Sequence, residues 1–345
     1  MIELARSGDR ETIRRLLGAR GDGQDRLFAM ARGARDEVFG PTAIVRGVIE
    51  ITSACRKSCH YCPMRVETPG RRYVLQADDI LRAVDQIRQA GLGVVFLQGG
   101  EVPGTTRLVL EVIPEIRGMF DDTVEILLCL GTKPPEELAS LRRQGADSYI
   151  IKHETSDPAL HLAIRQSPLE ERLDCARQML ALGYRVGLGS IVGLPGQSAA
   201  SLADDVLLPV GMGVHMASAS PFIPAVGTPL AGAPPGDMET TLNAMAVTRL
   251  LASTALIPSV SALEQLAPGG QRRGFLAGAN VITVNFTPPE DRDRYGIYGS
   301  ERFVVRLEHA RATLASAGLT PRLGEAAFSF WRGSQDGRTE GLASR

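Results

Sequence analysis

The chain has 345 residues, 44% of them hydrophobic and 22% charged, which excludes whole-chain disorder, a collagen-like repeat and a coiled coil, and supplies material for a large core. Thirty-eight basic and 39 acidic residues leave a formal net charge of -1, so no broad positive field exists to hold nucleic acid. The length fits one α/β barrel with extensions and falls short of two full enzyme domains.

In chain order, residues 1–40 read as an N-terminal helical extension, with helical spacing over 9–18 and 24–39 and Leu16, Leu17, Leu27, Phe28 and Met30 available to pack beneath the main body of the fold. A β-branched, alternating strand over 43–51 then runs into a cluster of cysteines. Helices over 77–90, 108–119, 134–144, 169–182, 201–208 and 238–252 alternate with strands over 94–97, 124–128, 148–151, 185–191, 214–217 and 257–261; a strand over 281–284 precedes a last helix over 301–317. Residues 321–345 form a C-terminal tail that turns polar and frayed from Gly333.

Alternating strands and helices at this spacing imply parallel strands joined by helical crossovers. About eight such units across residues 41–320 predict an α/β fold, a complete (β/α)8 barrel of the TIM type. Chemistry in such a barrel gathers at the C-terminal strand ends, here Ser53 onward, Gly99-Gly100-Glu101, Gly131-Thr132, His153-Glu154, Gly193-Leu194-Pro195-Gly196, Ser218 to Pro221, Ser261 and Asn285.

Five cysteines are an odd, modest number, and three of them, Cys55, Cys59 and Cys62, fall within eight residues, which suits a reduced compartment and a metal site better than a disulfide framework. No signal core opens the chain and no apolar run approaches the roughly 20 residues of a bilayer span, so a cytoplasmic protein without membrane contact is expected. Three thiolates on one tight loop can bind three irons of a cubane cluster and leave the fourth open. Zinc, with His60 as a fourth ligand, is the alternative, although structural zinc usually takes two separated ligand pairs. Cys129 in an apolar strand and Cys175 in an amphipathic helix read as buried small hydrophobes, so one cluster is expected.

The C-x3-C-x2-C spacing, with an aromatic residue before the last cysteine, resembles the radical S-adenosylmethionine (radical SAM) superfamily. The resemblance implies a 4Fe-4S cluster on Cys55, Cys59 and Cys62 that reductively cleaves S-adenosylmethionine (SAM) to a 5'-deoxyadenosyl radical. By the same resemblance Tyr61 lies near the adenine, Gly99, Gly100 and Glu101 meet the methionine amino group, Glu154 accepts from the ribose hydroxyls, Arg172 pairs with the carboxylate, and Val192, Gly193 and Leu194 border the adenine. The chemistry suits these residue types: glycines admit close backbone approach, a carboxylate pairs with an ammonium, and a guanidinium forks onto a carboxylate.

Over roughly residues 29–288 the chain is similar to the branch of that superfamily holding the FeFe-hydrogenase maturase HydE, biotin synthase and the 3-methylornithine synthase PylB. The residues that carry this are His153-Glu154-Thr155, Val192 to Gln197, Pro221 to Pro224, Thr228-Pro229-Leu230 and Gly278 to Ile282. The implied function is radical chemistry on a small substrate enclosed in the barrel, in hydrogenase cofactor maturation, with a carbon-skeleton mutase or a carbon-sulfur bond-forming or bond-cleaving enzyme as alternatives. A non-catalytic iron-sulfur or metal-binding scaffold is the rival from another class. An electron donor such as flavodoxin or ferredoxin is the implied partner. Lys152, Gly99, Val102, Gly227 and the run Ser259-Val260-Ser261 depart from the maturase pattern at strand ends, so the substrate half matches less well than the SAM half. Lys152, His153, Arg65, Arg46, Ser261 and Asn285 are the polar residues expected to hold the substrate.

Overall fold

The computed structural model describes residues 9–299 and 301–328; residues 1–8 and the expected polar end of the tail, from Gly333, lie outside them. Two helices, α1 (Arg10–Leu17) and α2 (Asp22–Phe39), lead into the long strand β1 (Thr42–Thr52). Helices and strands then alternate: α3 (Ala77–Gln89), β2 (Val94–Gly99), α4 (Thr105–Met119), β3 (Glu125–Cys129), α5 (Pro135–Gln144) and β4 (Ser148–Ile150). Two helices, α6 (Pro158–Arg165) and α7 (Leu169–Ala181), separate β4 from β5 (Arg185–Val192), and α8 (Ala199–Gly211) precedes β6 (Met216–Pro221). The last third holds α9 (Met238–Leu251), α10 (Ser261–Leu266), α11 (Gly270–Leu276), β7 (Val281–Asn285), α12 (Pro289–Arg292), α13 (Leu307–Ser316) and β8 (Thr320–Arg322).

The sheet runs β6-β5-β4-β3-β2-β1-β7, with every neighbouring pair parallel. The expected complete (β/α)8 barrel is corrected here to an α/β fold with an open parallel sheet, a half-barrel of the TIM-like kind. No ladder joins β6 to β7. Where a strand over 257–261 is expected, single bridges link Leu256 to Met216 and Pro258 to Val281. Proline has no N–H to donate to a ladder, and at Ser261 the chain already turns into α10. The eighth strand is β8 instead, paired with the first residues of β1.

Strand side chains alternate between two environments, as the period of two demands. On β1, Val45, Ile49 and Ile51 pack into the large cluster shared with the helices, whereas Ile44 and Val48 join Val94, Phe96, Leu127, Ile150, Met216 and Val281 in a second, interior cluster. Arg46 and Glu50 share the inward phase, and so do Gln98, Cys129 and Lys152, which continue the phase of Phe96, Leu127 and Ile150. Phe39, Ala327 and Phe328 belong to this interior cluster.

The helical extension packs against the later helices, and its last residue, Phe39, reaches the interior cluster. Helix α1 packs against α8 and α9, and α2 against α9 and α11; Gln24 donates to Asn243 Oδ1 at 2.8 Å and Arg35 to the Phe275 carbonyl at 2.8 Å. The helix expected over 301–317 begins only at Leu307, and the residues before it instead run over the mouth of the interior.

Candidate active site

The three cysteines follow β1 on a loop that leans against the end of β2. Gly100 is needed there for close approach, because a Cβ at this position would overlap the carbonyl oxygen of Ala54 and crowd Cys55. Backbone bonds fix the contact: Gly100 N–H donates to Thr52 O at 3.2 Å, Arg56 N–H to Glu101 O at 3.0 Å, and Glu101 N–H to Cys55 Sγ at 3.4 Å. The loop is held on its far side by His60 N–H on Ile164 O at 2.7 Å.

Cys55, Cys59 and Cys62 line one cavity together with Tyr61, Gly99, Gly100, Glu101, Glu154 and Arg172. Burial pushes the Cys59 thiol up to about 11, against the pull of Arg165, and the Cys62 thiol up to about 12.

Glu101 is the electrostatic centre. Its Oε1 accepts from Nη2 of Arg165 and from Nη2 of Arg172, both at 2.6 Å, and Lys57 Nζ stands 3.7 Å from Oε2. Gly131, at φ 74°, gives this carboxylate its room, since a Cβ there would overlap the Glu101 side chain. Glu101 Oε2 and Ser220 Oγ are buried at this cavity without a hydrogen-bond partner, the signature of a missing ligand.

Glu154 adopts φ 65°, a left-handed conformation that L residues rarely keep without a compensating gain. Its backbone is clamped to β5, donating to Gly189 O at 2.9 Å and accepting from Ile191 N–H at 2.8 Å. The kink turns its carboxylate into the cavity, where Tyr61 OH donates to Oε1 at 2.9 Å. Burial raises the Glu154 pKa, against the pull of Lys152 and Arg165.

Arg165 was not expected in the site. Its Nη1 donates to Cys59 Sγ at 3.1 Å while Nη2 holds Glu101. The signal was present in Asp157-Pro158: Asp157 accepts from Ala159 and Leu160 N–H and starts α6, whose period then puts buried His161 and Arg165 on one face.

A second chamber opens beneath the first, and the two share Gln98, Cys129, Ile150, Lys152, Ile297 and Tyr298. Arg46, Ser261 and Asn285 line it. Arg46 donates Nε to Thr283 Oγ1 at 2.8 Å and lies over the Phe96 ring, with no carboxylate beside it; burial lowers its pKa to about 10. Glu50, by contrast, is neutralised by both Nη atoms of Arg302, at 2.7 Å for Nη2–Oε2. The Tyr298 phenol raises the Lys152 pKa above that of a free lysine, outweighing burial.

The remaining expected residues fall elsewhere. His153 follows Lys152 and so has the opposite phase; it is fully buried outside both chambers. Arg65 pairs with Glu67 at 2.9 Å and lines neither chamber. Val192 and Leu194 are buried in hydrophobic clusters, Gly193 at φ 86° packs against Gly236, and Ile191 lines the cavity in their place. Cys129, read as a buried hydrophobe, lines both chambers, and burial raises its pKa to about 11. Cys175 is buried as expected, its thiol 3.8 Å from Lys133 O.

A parallel α/β sheet whose first strand delivers three cysteines to a cavity with a glycine-carboxylate turn defines a radical SAM enzyme. The Radical SAM superfamily model matches residues 49–208, and the chain belongs to this superfamily, whose members use a 4Fe-4S cluster and SAM. Its relatives include the [FeFe] hydrogenase maturase subunit HydE of Thermotoga maritima, 35% identical over 305 residues, 87% of each chain. The 3-methylornithine synthase of Methanosarcina barkeri is 26% identical over 281 residues, 79% of this chain and 77% of that one. The crystal structure of methylornithine synthase (PylB) shares the fold, with a TM-score of 0.81 at 23% identity, covering 95% of this chain and 98% of that one. As a radical SAM enzyme, the protein acts on a small molecule and takes its electron from a reductant. Among the described residues no helix is long and apolar enough to cross a membrane.

Proposed function

We propose that this protein is a HydE-like cytoplasmic enzyme that binds a cluster and SAM in the upper chamber and a small anionic substrate in the lower one, as in hydrogenase cofactor maturation. The observation that carries the reading is the continuity of the two chambers through Gln98, Cys129 and Lys152. The residues present fit both groups: three thiols on one wall, and at Glu101 an orphaned buried oxygen suited to an ammonium. When bound, the cluster and SAM supply a 5'-deoxyadenosyl radical.

Cys55, Cys59 and Cys62 hold the cluster. Glu101 receives the amino group, with Arg165 and Arg172 fixing its carboxylate in place. Three of the five Arg172 N–H groups, the unpartnered Nε–H among them, are available for the methionine carboxylate, since Nη1 and Nη2 each spend one on Lys152 O and Glu101. Glu154 accepts from the ribose hydroxyls, and Tyr61 bonded to it closes the adenine side. Below, Arg46 is a buried cation with no ion pair among the described residues, and Lys152, which also feels Glu154, adds a second positive charge to the chamber wall, which favours an anionic substrate. Leu256 and Pro258, held by single bridges between β6 and β7, line the open side of that chamber.

Anaerobic reconstitution of the wild type and a Cys59→Ala variant, reduction with dithionite and addition of SAM should give 5'-deoxyadenosine by mass spectrometry in the wild type alone. Its absence from cluster-loaded wild type, even with cell extract as a source of substrate, would favour the scaffold reading. Restoration of hydrogenase activity in a host lacking HydE tests the maturation role, and failure there with intact SAM cleavage moves the substrate to another pathway.

A further inference from the structure

We infer that Cys129 is a hydrogen-atom relay between the two chambers, its thiol passing a radical formed in the upper one to the substrate in the lower one; the inference rests on the radical SAM reading and adds a residue to that same site. Cys129 is the last residue of β3, and the ladder sets it opposite Gln98 of β2. Both residues, with Lys152 just past the end of β4, stand where the chambers meet, so the thiol borders each of them. The side chain packs against the apolar interior cluster, and no hydrogen bond holds its sulfur among the described residues. Cys175, the other cysteine outside the loop, instead lies 3.8 Å from Lys133 O and lines neither chamber.

A second observation marks the same place as one that receives a ligand. Ser220, 2% exposed, lines the upper chamber from β6, and its hydroxyl has no partner. Ser218, two residues earlier and therefore in the same phase, lines the lower chamber. The strand thus offers a hydroxyl to each side of the junction that Cys129 occupies. The setting also keeps hydrogen on the sulfur. A thiol can surrender a hydrogen atom and a thiolate has none, and burial raises the Cys129 pKa to about 11 against the pull of Lys152 and Arg46.

An S–H bond is weaker than the C–H bond of a methyl group, so the first transfer runs downhill. The S–H bond of Cys129 breaks, a C–H bond of 5'-deoxyadenosine forms, and a thiyl radical remains on the sulfur. In the lower chamber the thiyl takes a hydrogen atom from a substrate C–H bond weakened by an adjacent heteroatom, which restores the thiol and leaves the radical on the substrate. Each step moves one hydrogen atom, so no further oxidant or reductant enters. In the absence of substrate, one electron from dithionite and one proton from solvent reset the thiol.

That substrate-free reaction is the test. Cluster-loaded protein is exchanged into heavy water and given SAM and dithionite, and the 5'-deoxyadenosine formed is analysed by mass spectrometry. The wild type should place one deuterium, taken from the exchanged thiol, in the product. Cys129→Ser keeps the shape but carries an O–H bond too strong to donate, so its product should lose that deuterium. Cys175→Ser should keep it, and so should Tyr298→Phe, which removes the phenolic hydrogen at the junction. Apart from turnover, iodoacetamide labelling of Cys129 in the loaded, unreduced protein, read by peptide mass at alkaline pH, should slow when SAM is added, while labelling of Cys175 stays the same. Deuterium missing from the wild-type product, retained in Cys129→Ser or lost in Tyr298→Phe would overturn the relay, as would Cys129 labelling indifferent to SAM. A wild type that makes no 5'-deoxyadenosine would overturn the radical reading instead.

Discussion

Arg165 ties Glu101 to Cys59: one guanidinium nitrogen lies 2.6 Å from the carboxylate and another 3.1 Å from the sulfur. The SAM half and the cluster half of the site are thus held by one side chain at the end of α6. Arg165→Lys keeps the charge but loses the fork, so SAM cleavage should fall at least tenfold. Arg165→Ala should also lower stability by about 3 kcal/mol or more, because it strips a partner from buried Glu101. Cleavage assays and urea unfolding read the two effects; a lysine variant with wild-type turnover would show the fork to be dispensable.

Gly100→Ala should lower iron loading, because the new Cβ meets the Ala54 carbonyl and pushes the cysteine loop away from β2. Gly118→Ala, which adds a Cβ into open space on α4, serves as the control. Iron per chain after reconstitution distinguishes them, and equal loading would remove the role given to Gly100.

Acid stability should report His153. Burial, with His161 adding to it, lowers its pKa from 6.5 to about 3, so the unfolded chain binds the extra proton and stability is lost as pH falls from 6.5 toward 3. The slope for one such group approaches about 1.4 kcal/mol per pH unit. Asp205 works oppositely: burial raises it from 3.8 to about 6, so its contribution is full below 3.8 and is lost as pH rises through 6. Removing the imidazole in His153→Leu should flatten the acid limb of a urea-unfolding series from pH 7 to 4.5. Superimposable pH profiles for the two proteins would count against the assignment.

Arg249 is fully buried yet has no carboxylate. It donates to the carbonyls of Gly278, Ser253 and Ala255 and to Asn280 Oδ1, at 2.8 to 2.9 Å, and burial lowers its pKa to about 9. Arg249→Met leaves several buried acceptors unmet and should cost about 3 kcal/mol or more in thermal or urea unfolding. A loss below about 1 kcal/mol would mean that water replaces the guanidinium.

The strand-helix rhythm and the cysteine loop could be read directly, because both depend on local pattern. The seam at residues 256–258 could not: those residues look like a strand, and only Pro258 and the onset of α10 at Ser261 deny it a ladder. Lys152 and His153 show the same limit at the site. Their neighbourhood marks a strand end, but which of the two faces inward follows from the phase set by Ile150 in the sheet. Arg302 was hidden inside an expected helix and reaches Glu50 because that segment is extended.

The seam has a further meaning for how such an enzyme changes over time. From β5 through β1 the wall is one continuous ladder, and it carries Glu154, Glu101 and the cysteines. Leu256, Pro258, Ser259 and Ser261 border only the lower chamber, beside a wall stitched by single bridges. Substitutions along that stitch can reshape the cargo hold while the ignition half keeps its geometry, so descent within this lineage is free to trade substrates without rebuilding the reaction.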